Sequence, residues 1–304
     1  MKRILIILAV LLAPAYGFAQ GDGPHNLPLL PAGTNLFVAM PLGLSGNFNP
    51  SQTVLIPGAN VDVFALPLTY VRTFSLGGRF GRLFLTAPLA TLDASGTIID
   101  LRTGDELTVS RGRSGWMDPL VTMHIGLIGA PALTPPEFVK HPKSFQMVAI
   151  VGTGIPIGTY DSTRAINLGT NRWQFRLGAG TVVPLGKSTA WESANSVTLF
   201  TDNNDVFGGA VTRSQDPLFI SENHFTYQFN PKWWSSVDLR WQYGGETETD
   251  GVADNNLTNI LGGGLALGHQ FTPHFGGYIS YGQVLAKKGD AEEWMIRAQL
   301  VYSF

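Results

Sequence analysis

The sequence contains no cysteine and few charged residues. Without cysteine the chain has no disulfide bonds, no thiolate metal ligands and no cysteine nucleophile. Charged residues account for 14% of the chain, whereas about 25% is typical of soluble domains. Beyond the N-terminal region, no segment has the roughly 20 consecutive apolar residues of a membrane-spanning helix. An ordinary water-soluble surface and a bundle of membrane helices are therefore both poor explanations of this composition.

The overall charge is close to balance, with 20 Lys and Arg residues against 22 Asp and Glu residues. A protein that binds nucleic acid usually carries a basic face or stripe. This slightly acidic sequence has no such excess of basic residues, so we expect no nucleic-acid partner.

The N-terminus has the features of a secretory signal peptide. A positive pair, Lys2 and Arg3, is followed by an apolar stretch over residues 4–13. Small residues then flank Phe18, which is typical of a cleavage site before Gln20. The apolar stretch is short for a membrane anchor. We therefore predict that this leader is removed during export in a Gram-negative bacterium.

Most of the remaining chain follows a period of two residues. In the segment that begins at Trp233, apolar side chains alternate with polar ones such as Asp238 and Arg240. The C-terminal segment alternates in the same way from Trp294 to Phe304. Since successive side chains of a strand point to opposite faces, these segments are predicted to be β-strands with one apolar and one polar face.

Alternation of this kind is compatible with two folds. In a soluble β-sandwich the apolar faces form a core, whereas in a membrane barrel they contact lipid and the polar faces line the lumen. Aromatic positions favour the barrel, because single strands carry aromatic residues at both ends of the apolar face. Eight residues at about 3.3 Å rise and roughly 40° tilt span about 20 Å, close to the apolar band of outer-membrane barrels. The predicted aromatic girdle consists of Trp173, Trp233, Trp241, Tyr243, Trp294, Tyr302 and Phe304.

Connections of alternating length also favour a barrel. Tight turns are expected at residues 75–79, 184–190, 230–231 and 272–273. Longer polar loops are expected at residues 47–58, 92–115, 158–171, 202–215 and 245–256. The connection over residues 131–143 breaks this pattern, because it is long on the side that should be short. We predict a closed, antiparallel, up-and-down transmembrane β-barrel of about twelve strands, with both termini on one side.

Closure of the barrel should involve the C-terminal strand. An open edge in hydrocarbon would leave backbone groups unpaired, at several kcal/mol each, so we expect this strand to pair with the first one. The predicted domains are a signal peptide at residues 1–19, an N-terminal segment at residues 20–33 and the barrel at residues 34–304. The N-terminal segment either lies in the periplasm or plugs the lumen. Leu27, Leu29 and Leu30 motivate the plug hypothesis, because they would otherwise be exposed to water.

Six motifs occur along the chain in the order LPAGTNLF, LTYVRTFSLGGR, INLGTNRWQFR, LFTDNND, QDPLF and YGGETETDG. Together they resemble the family named for the MetA pathway of phenol degradation, over nearly the whole mature chain. The resemblance implies an outer-membrane transporter barrel that takes up aromatic or other hydrophobic compounds, and it carries no assigned binding residues. The terminal Phe304 also resembles the C-terminal signature of outer-membrane barrels, which implies recognition by the barrel assembly machinery.

Polar residues on the inward faces form the candidate site. Charges of both signs there either pair into a network or line an aqueous path. For about twelve strands, ~4.8 Å spacing and ~40° tilt give a backbone radius near ~12 Å, which leaves a narrow pore. The predicted lumen-lining residues are Arg176, Glu222, His224, Asp238, Arg240, Tyr278 and Arg297. We predict a passive channel for small hydrophobic or aromatic solutes, embedded in outer-membrane lipid and without a cofactor.

Alternatives to this interpretation remain open. A structural or adhesive barrel would bind outside partners through its loops, and a lumenal hydrolase would use His224, although no suitably spaced serine accompanies it. An exported soluble β-sandwich is the alternative fold. Acidic residues at 202–205 and 246–250 offer oxygen ligands for Ca²⁺, but solvated loops explain them better, so no metal is predicted. Asp118 and Asp216, each followed by proline, are expected to begin strands.

Overall fold

The alternating segments pair into one antiparallel sheet that closes on itself. The computed structural model describes residues 22–46, 48–49, 54–55, 59–99, 106–164, 166–207, 212–287 and 293–304. The last strand pairs with the first, so that Leu36 lies opposite Ser303 and Ala39 opposite Leu300. The predicted closed β-barrel of twelve strands is confirmed.

The described elements are nineteen strands and one short helix. The strands are β1 (Asn35–Ala39), β2 (Leu42–Gly46), β3 (Phe48–Asn49), β4 (Val54–Leu55), β5 (Ala59–Leu76), β6 (Arg79–Ile99), β7 (Glu106–Trp116), β8 (Leu120–Ile128), β9 (Gln146–Gly154), β10 (Gln174–Pro184), β11 (Thr189–Phe200), β12 (Arg213–Gln215), β13 (Leu218–Gln228), β14 (Trp233–Gly244), β15 (Thr247–Thr249), β16 (Val252–Ala253), β17 (Thr258–Thr272), β18 (Phe275–Lys287) and β19 (Glu293–Ser303). The helix is α1 (Pro135–Lys140). Among the described residues, no helix combines the length and the hydropathy needed to cross a membrane.

Two of the twelve barrel positions are each filled by a pair of strands. β1 and β2 both pair with β5 and β19, and β7 and β8 both pair with β6. A proline lies between the two strands of each pair, Pro41 in the first and Pro119 in the second. Proline has no N–H group to donate, so it interrupts the hydrogen-bond ladder there. Hydrogen bonds nevertheless cross both breaks, since Ala298 donates to the Pro41 carbonyl and Ile155 to the Pro119 carbonyl, each at 3.0 Å. The remaining small strands lie outside the barrel, as a β3–β4 pair and a β12–β15–β16 sheet.

The barrel has one rim of tight turns and one rim of long connections, which we call the short-turn rim and the long-loop rim. The connection between β8 and β9 is the exception on the short-turn rim, because it contains α1. The Glu137 carboxylate closes the first turn of α1 by accepting hydrogen bonds from the Thr134 backbone N–H at 2.8 Å and hydroxyl at 2.7 Å. The bond from the Thr134 N–H is the one that the glutamate supplies in a capping box. The long connection expected at residues 131–143 is therefore a helical one.

The prediction of a longer polar loop over residues 92–115 is wrong for residues 92–99 and 106–115, which lie in strands. β6 continues to Ile99 and β7 begins at Glu106, and these two residues lie opposite each other. Strand pairing in this hairpin uses backbone hydrogen bonds and does not require a lipid-facing apolar row. The sequence there consequently lacks the alternation that marks the other strands.

The exposed face of the barrel wall is apolar and its enclosed face is polar, which is the reverse of a soluble domain. On β18, the outward Ile279 is 63% exposed, whereas its inward neighbour Ser280 is 4% exposed. On β14, Val237 is 52% exposed and Asp238 is fully buried. The exposed face is apolar and the enclosed face holds the charges, as lipid on the outside requires. The seven predicted girdle residues all lie exposed on the outer face, namely Trp173, Trp233, Trp241, Tyr243, Trp294, Tyr302 and Phe304.

Apolar side chains also pack inside the barrel, in two clusters. The loop-side cluster, towards the long-loop rim, consists of Leu44, Val61, Val63, Ala65, Ala90, Leu92, Leu168 and Met295. The turn-side cluster, towards the short-turn rim, consists of Leu27, Leu29, Phe80, Ala130, Val148, Ile150, Val182 and Ala194. Each cluster includes residues that do not belong to the barrel wall, so chain segments from both ends fold into the lumen.

A charge placed on the outward face should destabilise the barrel in lipid. We expect Ile279→Arg to lower the free energy of unfolding by about 2–4 kcal/mol, because its guanidinium enters hydrocarbon. Folding into phosphatidylcholine vesicles, measured by urea titration, tests this. Val252→Arg is the control, because Val252 is equally exposed but lies in the separate three-stranded sheet. Equal destabilisation by the two substitutions would contradict the assignment of the outward face to lipid.

Candidate functional site

Strand register places four of the predicted inward residues side by side. On β13 and β14, Glu222 lies opposite Arg240 and His224 opposite Asp238. The Arg240 Nε donates to Glu222 Oε1 at 3.1 Å, and His224 Nδ1 lies 2.7 Å from Asp238 Oδ1. His224 Nε2 is 3.9 Å from Glu222 Oε2. We call these four residues the lumen cluster. Their mutual pairing is needed because an unpaired charge buried in a protein is costly.

A further predicted residue, Arg176 of β10, joins the lumen cluster through the N-terminal segment. Its Nη1 donates to Asp22 Oδ2 at 2.8 Å. The backbone N–H of Asp22 donates to Glu222 Oε2 at 2.9 Å. Burial by itself would raise the pKa of the Asp22 carboxyl, but the Arg176 guanidinium holds that pKa below its ordinary value. Asp22 is thus an ionised carboxylate that links Arg176 to Glu222.

Wall side chains also satisfy backbone groups of the N-terminal segment. The backbone N–H of His25 donates to Glu192 Oε2 at 3.0 Å. Arg82 donates to the carbonyl groups of Asn26 and Pro28. Buried backbone groups outside regular structure need such partners, and here the partners are the side chains of Arg82 on β6 and Glu192 on β11.

Apolar and backbone contacts fix the other end of the segment. Leu27 and Leu29 are 5% and 4% exposed and belong to the turn-side cluster. At the short-turn rim, the Ala32 N–H donates to the Leu133 carbonyl at 2.7 Å, and the Gly33 N–H to the Thr73 carbonyl at 3.0 Å. Residues 22–33, which we call the inner segment, therefore run inside the barrel from this rim to the lumen cluster.

The last two predicted lumen residues, Tyr278 and Arg297, confine the inner segment at Gly23. The Arg297 guanidinium lies 5.4 Å from the centre of the Tyr278 ring, and the Tyr278 hydroxyl donates to Gln299 Oε1 at 3.1 Å. Gly23 has a φ of +86°, and a Cβ added there would overlap the Tyr278 hydroxyl and the Arg297 guanidinium. Glycine suits this position for both reasons.

A cavity of about 850 Å³ runs beside the inner segment. One side of it is lined by apolar residues of β1, β2, β5 and β6 and of the link between β1 and β2, such as Leu44, Val63 and Met40. The other side carries polar residues of β10, β13 and β14 from the sets described above. The lining reaches His274 and Ser303 at the short-turn rim. The lumen therefore has one mostly apolar wall and one wall that carries Arg176, Glu222 and Arg240.

The connection between β9 and β10 folds inward at the long-loop rim. Its Leu168 is 1% exposed and packs in the loop-side cluster. Asp118, just before β8, accepts hydrogen bonds from the Gly158 N–H at 2.8 Å, the Thr170 N–H at 2.9 Å and the Thr170 hydroxyl at 2.6 Å. Asp118 thus lies where a strand begins, as predicted, and in addition ties this loop over the lumen.

Acidic residues of the other long loops contact neighbouring loops. Asp250 Oδ1 accepts a hydrogen bond from the Thr212 N–H at 2.8 Å, and the Arg213 Nε atom lies 3.7 Å from Asp254 Oδ2. The Asp216 N–H donates to the Glu246 carbonyl at 2.9 Å. Within the described part of the chain, no three His, Cys, Asp or Glu side chains are grouped so as to hold a metal ion.

His224 is engaged by carboxylates through both of its ring nitrogens. None of the hydrogen bonds described in the structure joins a serine to His224, and the Ser221 hydroxyl accepts from Asn223 at 3.1 Å. A serine–histidine pair, in which histidine activates the hydroxyl, is therefore not formed by these two residues.

Several ionisable residues that face the lumen are not among those predicted from the sequence. They are Asp22, His25, Arg82, His124, Glu192 and Glu293. Glu192 follows the outward Trp191 by one position, so its parity was readable from the sequence. Arg82 lies between Phe80 and Phe84 on the inward face, and these aromatic neighbours resemble a lipid-facing row. Asp22 and His25 belong to no strand, so no alternation indicates that they face the lumen, and only the path of the inner segment in the structure places them there.

Comparisons with known proteins agree with this architecture. The sequence profile of the family described as the MetA-pathway of phenol degradation matches residues 45–304. No curated protein gives a match. The COG4313 outer membrane channel from Pseudomonas putida F1 superposes with a TM-score of 0.74 at 21% identity, over 94% of this chain and 100% of that chain. The β domain of the Bordetella autotransporter BrkA superposes with a TM-score of 0.52 at 12% identity, over 89% of this chain and 99% of that chain. These similarities establish the fold, which is that of outer-membrane β-barrels.

The tight fit at Gly23 leads to a matched pair of substitutions. We expect Gly23→Ala to raise single-channel ion conductance severalfold, because the added methyl group pushes the inner segment away from Tyr278 and Arg297. Gly33→Ala is the control, since Gly33 also has a positive φ, +91°, but no atom within 4 Å of an added Cβ. Conductance in planar lipid bilayers tests both variants. A rise in both, or in neither, would show that the contact at Gly23 does not restrict the lumen.

Proposed function

The chain belongs to the MetA-pathway of phenol degradation family, and we propose that it is an outer-membrane channel for passive uptake of small hydrophobic or aromatic compounds. After removal of residues 1–19, the barrel lies in outer-membrane lipid with its short-turn rim in the periplasm. The girdle residues then lie at the two lipid interfaces, and the strand that ends at Phe304 is the element read by the barrel assembly machinery.

The observation that carries this proposal is the two-sided cavity. Ligand sites combine mostly apolar walls with a few polar groups that orient the ligand, and the wall formed by Met40, Leu44 and Val63 faces a polar wall across the cavity. An aromatic ring that bears one polar group matches both walls. A sugar or a salt gains nothing from the apolar wall.

Charge pairing inside the lumen supports the preference for small organic solutes. Arg176 and Arg240 are engaged by Asp22 and Glu222, so their charges attract ions from solution only weakly. Tyr278 and Arg297 line the cavity with them, whereas His224 and Asp238 are buried and hold Glu222 and the wall in place from behind the cavity surface. A narrow lumen with compensated charge favours neutral or weakly charged solutes over strongly hydrated ions.

We further infer that residues 20–33 form a plug that narrows the lumen rather than a free periplasmic tail. The contacts of Asp22, His25, Leu27 and Leu29 with the wall support this assignment. Because the cavity continues beside the segment, a small solute passes alongside it, whereas a larger one is blocked.

Liposome swelling tests the channel function directly. We expect liposomes that contain the protein to swell faster in resorcinol than protein-free liposomes do, and to swell more slowly in erythritol, a polar solute of similar mass. Protein-free liposomes correct for resorcinol that crosses the lipid unaided. A structural or adhesive barrel predicts the protein-free rate for both solutes, and a general diffusion pore predicts equal rates; either result would contradict the proposal.

A further inference from the structure

The ion pair between Asp22 and Arg176 forms part of the cavity surface. The Arg176 Nη1 and Asp22 Oδ2 atoms are 2.8 Å apart, yet the two side chains keep 20% and 33% of their surface exposed. The Arg176 Nε donates to Ser196 Oγ at 3.0 Å, which holds the guanidinium against the wall. A carboxylate that enters the cavity can therefore reach the guanidinium that Asp22 occupies.

Charges around this pair are balanced. Arg176 pairs with Asp22, Arg240 pairs with Glu222, and the Asp22 N–H connects the two pairs. In a poorly solvated site, an additional unpaired charge is costly. An anion that binds beside Asp22 leaves an excess negative charge, whereas an anion that takes the place of Asp22 on Arg176 preserves the balance. Binding of an anion is thus coupled to departure of Asp22.

Space for an attached ring lies next to Arg176. On β9, Gly152 lies opposite Arg176 and Gly154 lies two pairs further along the strand, and both line the cavity. Leu120 and Phe200 line the same part of the cavity. An aromatic ring whose carboxylate contacts Arg176 can therefore pack on these two apolar side chains.

We propose that Arg176 is the carboxylate-recognition residue of the channel and that Asp22 occupies it until a small aromatic monocarboxylate, of the benzoate type, exchanges for it. The exchange releases the Asp22 end of the inner segment, while Leu27 and Leu29 keep the other end anchored, and the lumen widens. This inference rests on the proposed function, because it names a substrate class and a gate for the same lumen.

Planar bilayer recordings of the whole mature protein test the exchange. Benzoate is compared with benzamide, which has the same ring and a similar shape but no charge. We expect benzoate to raise the open probability about tenfold over benzamide at equal concentration, a typical coupling between two sites. Equal effects of the two compounds would overturn the proposal.

Two variants separate the exchange from a general effect of benzoate on the barrel. Asp22→Asn removes the resident carboxylate, so this variant should open without benzoate and show no further rise when benzoate is added. Asp216→Asn is the control, because Asp216 is an exposed residue outside the cavity lining, and it should respond as the wild type does. A benzoate response that persists in Asp22→Asn would contradict the role of Asp22.

Chemical labelling provides a second measurement that does not depend on conductance. The chain has no cysteine, so Asn26→Cys introduces a single reactive thiol in the inner segment. Benzoate should accelerate its reaction with a water-soluble maleimide severalfold, and benzamide should not. An unchanged labelling rate would show that benzoate does not move the segment.

The outcomes also distinguish this inference from the proposed function. If resorcinol enters liposomes selectively while benzoate and benzamide act alike, the channel assignment stands and the carboxylate gate is wrong. If neither resorcinol nor benzoate crosses above the protein-free rate, even in the Gly23→Ala variant, both are wrong.

Discussion

Hydrocarbon offers no hydrogen bonds to a strand edge, and this constraint determines the architecture of the molecule. β19 closes the sheet by pairing with β1 and β2, and hydrogen bonds continue past the prolines that interrupt two of the barrel positions. Once the sheet is closed, the two faces of every strand have different surroundings. Apolar side chains face lipid, so the charged side chains of the spanning strands have to be accommodated in the lumen.

A lumen that holds so many charges must also pair them. Pairing across β13 and β14 accounts for Glu222, His224, Asp238 and Arg240. Arg176 instead uses Asp22, which comes from a part of the chain that precedes the barrel. The inner segment thus supplies a charge that Arg176 needs and also occupies part of the lumen. A change that moves this segment should therefore both leave Arg176 without its partner and widen the path.

Parity within each strand is the basis on which the residues from Arg176 to Arg297 were assigned to inward faces. Local alternation and connection length were sufficient to predict the strand number and the closure. They were insufficient where the lipid-facing row is missing. The parts of β6 and β7 nearest the long-loop rim form a backbone ladder in a stretch whose sequence does not alternate, and residues 92–99 and 106–115 were interpreted as loop for that reason. Partners distant in sequence, such as Asp22 and Arg176, depend on where the inner segment lies, and no local pattern encodes that. Arg82 was hidden by its aromatic neighbours, whereas Glu192 could have been found by parity.

The central claim is that the exposed apolar face meets lipid while its alternate residues face an aqueous lumen. Site-directed spin labelling tests it most directly, because the chain has no cysteine to remove. Single cysteines along residues 276–286 of β18 are labelled in lipid vesicles, and their collisions with oxygen and with a water-soluble nickel chelate are compared. The account predicts oxygen maxima at odd-numbered positions such as 279 and 281, with nickel maxima at none of them. Nickel maxima at the odd-numbered positions, or no alternation at all, would contradict it.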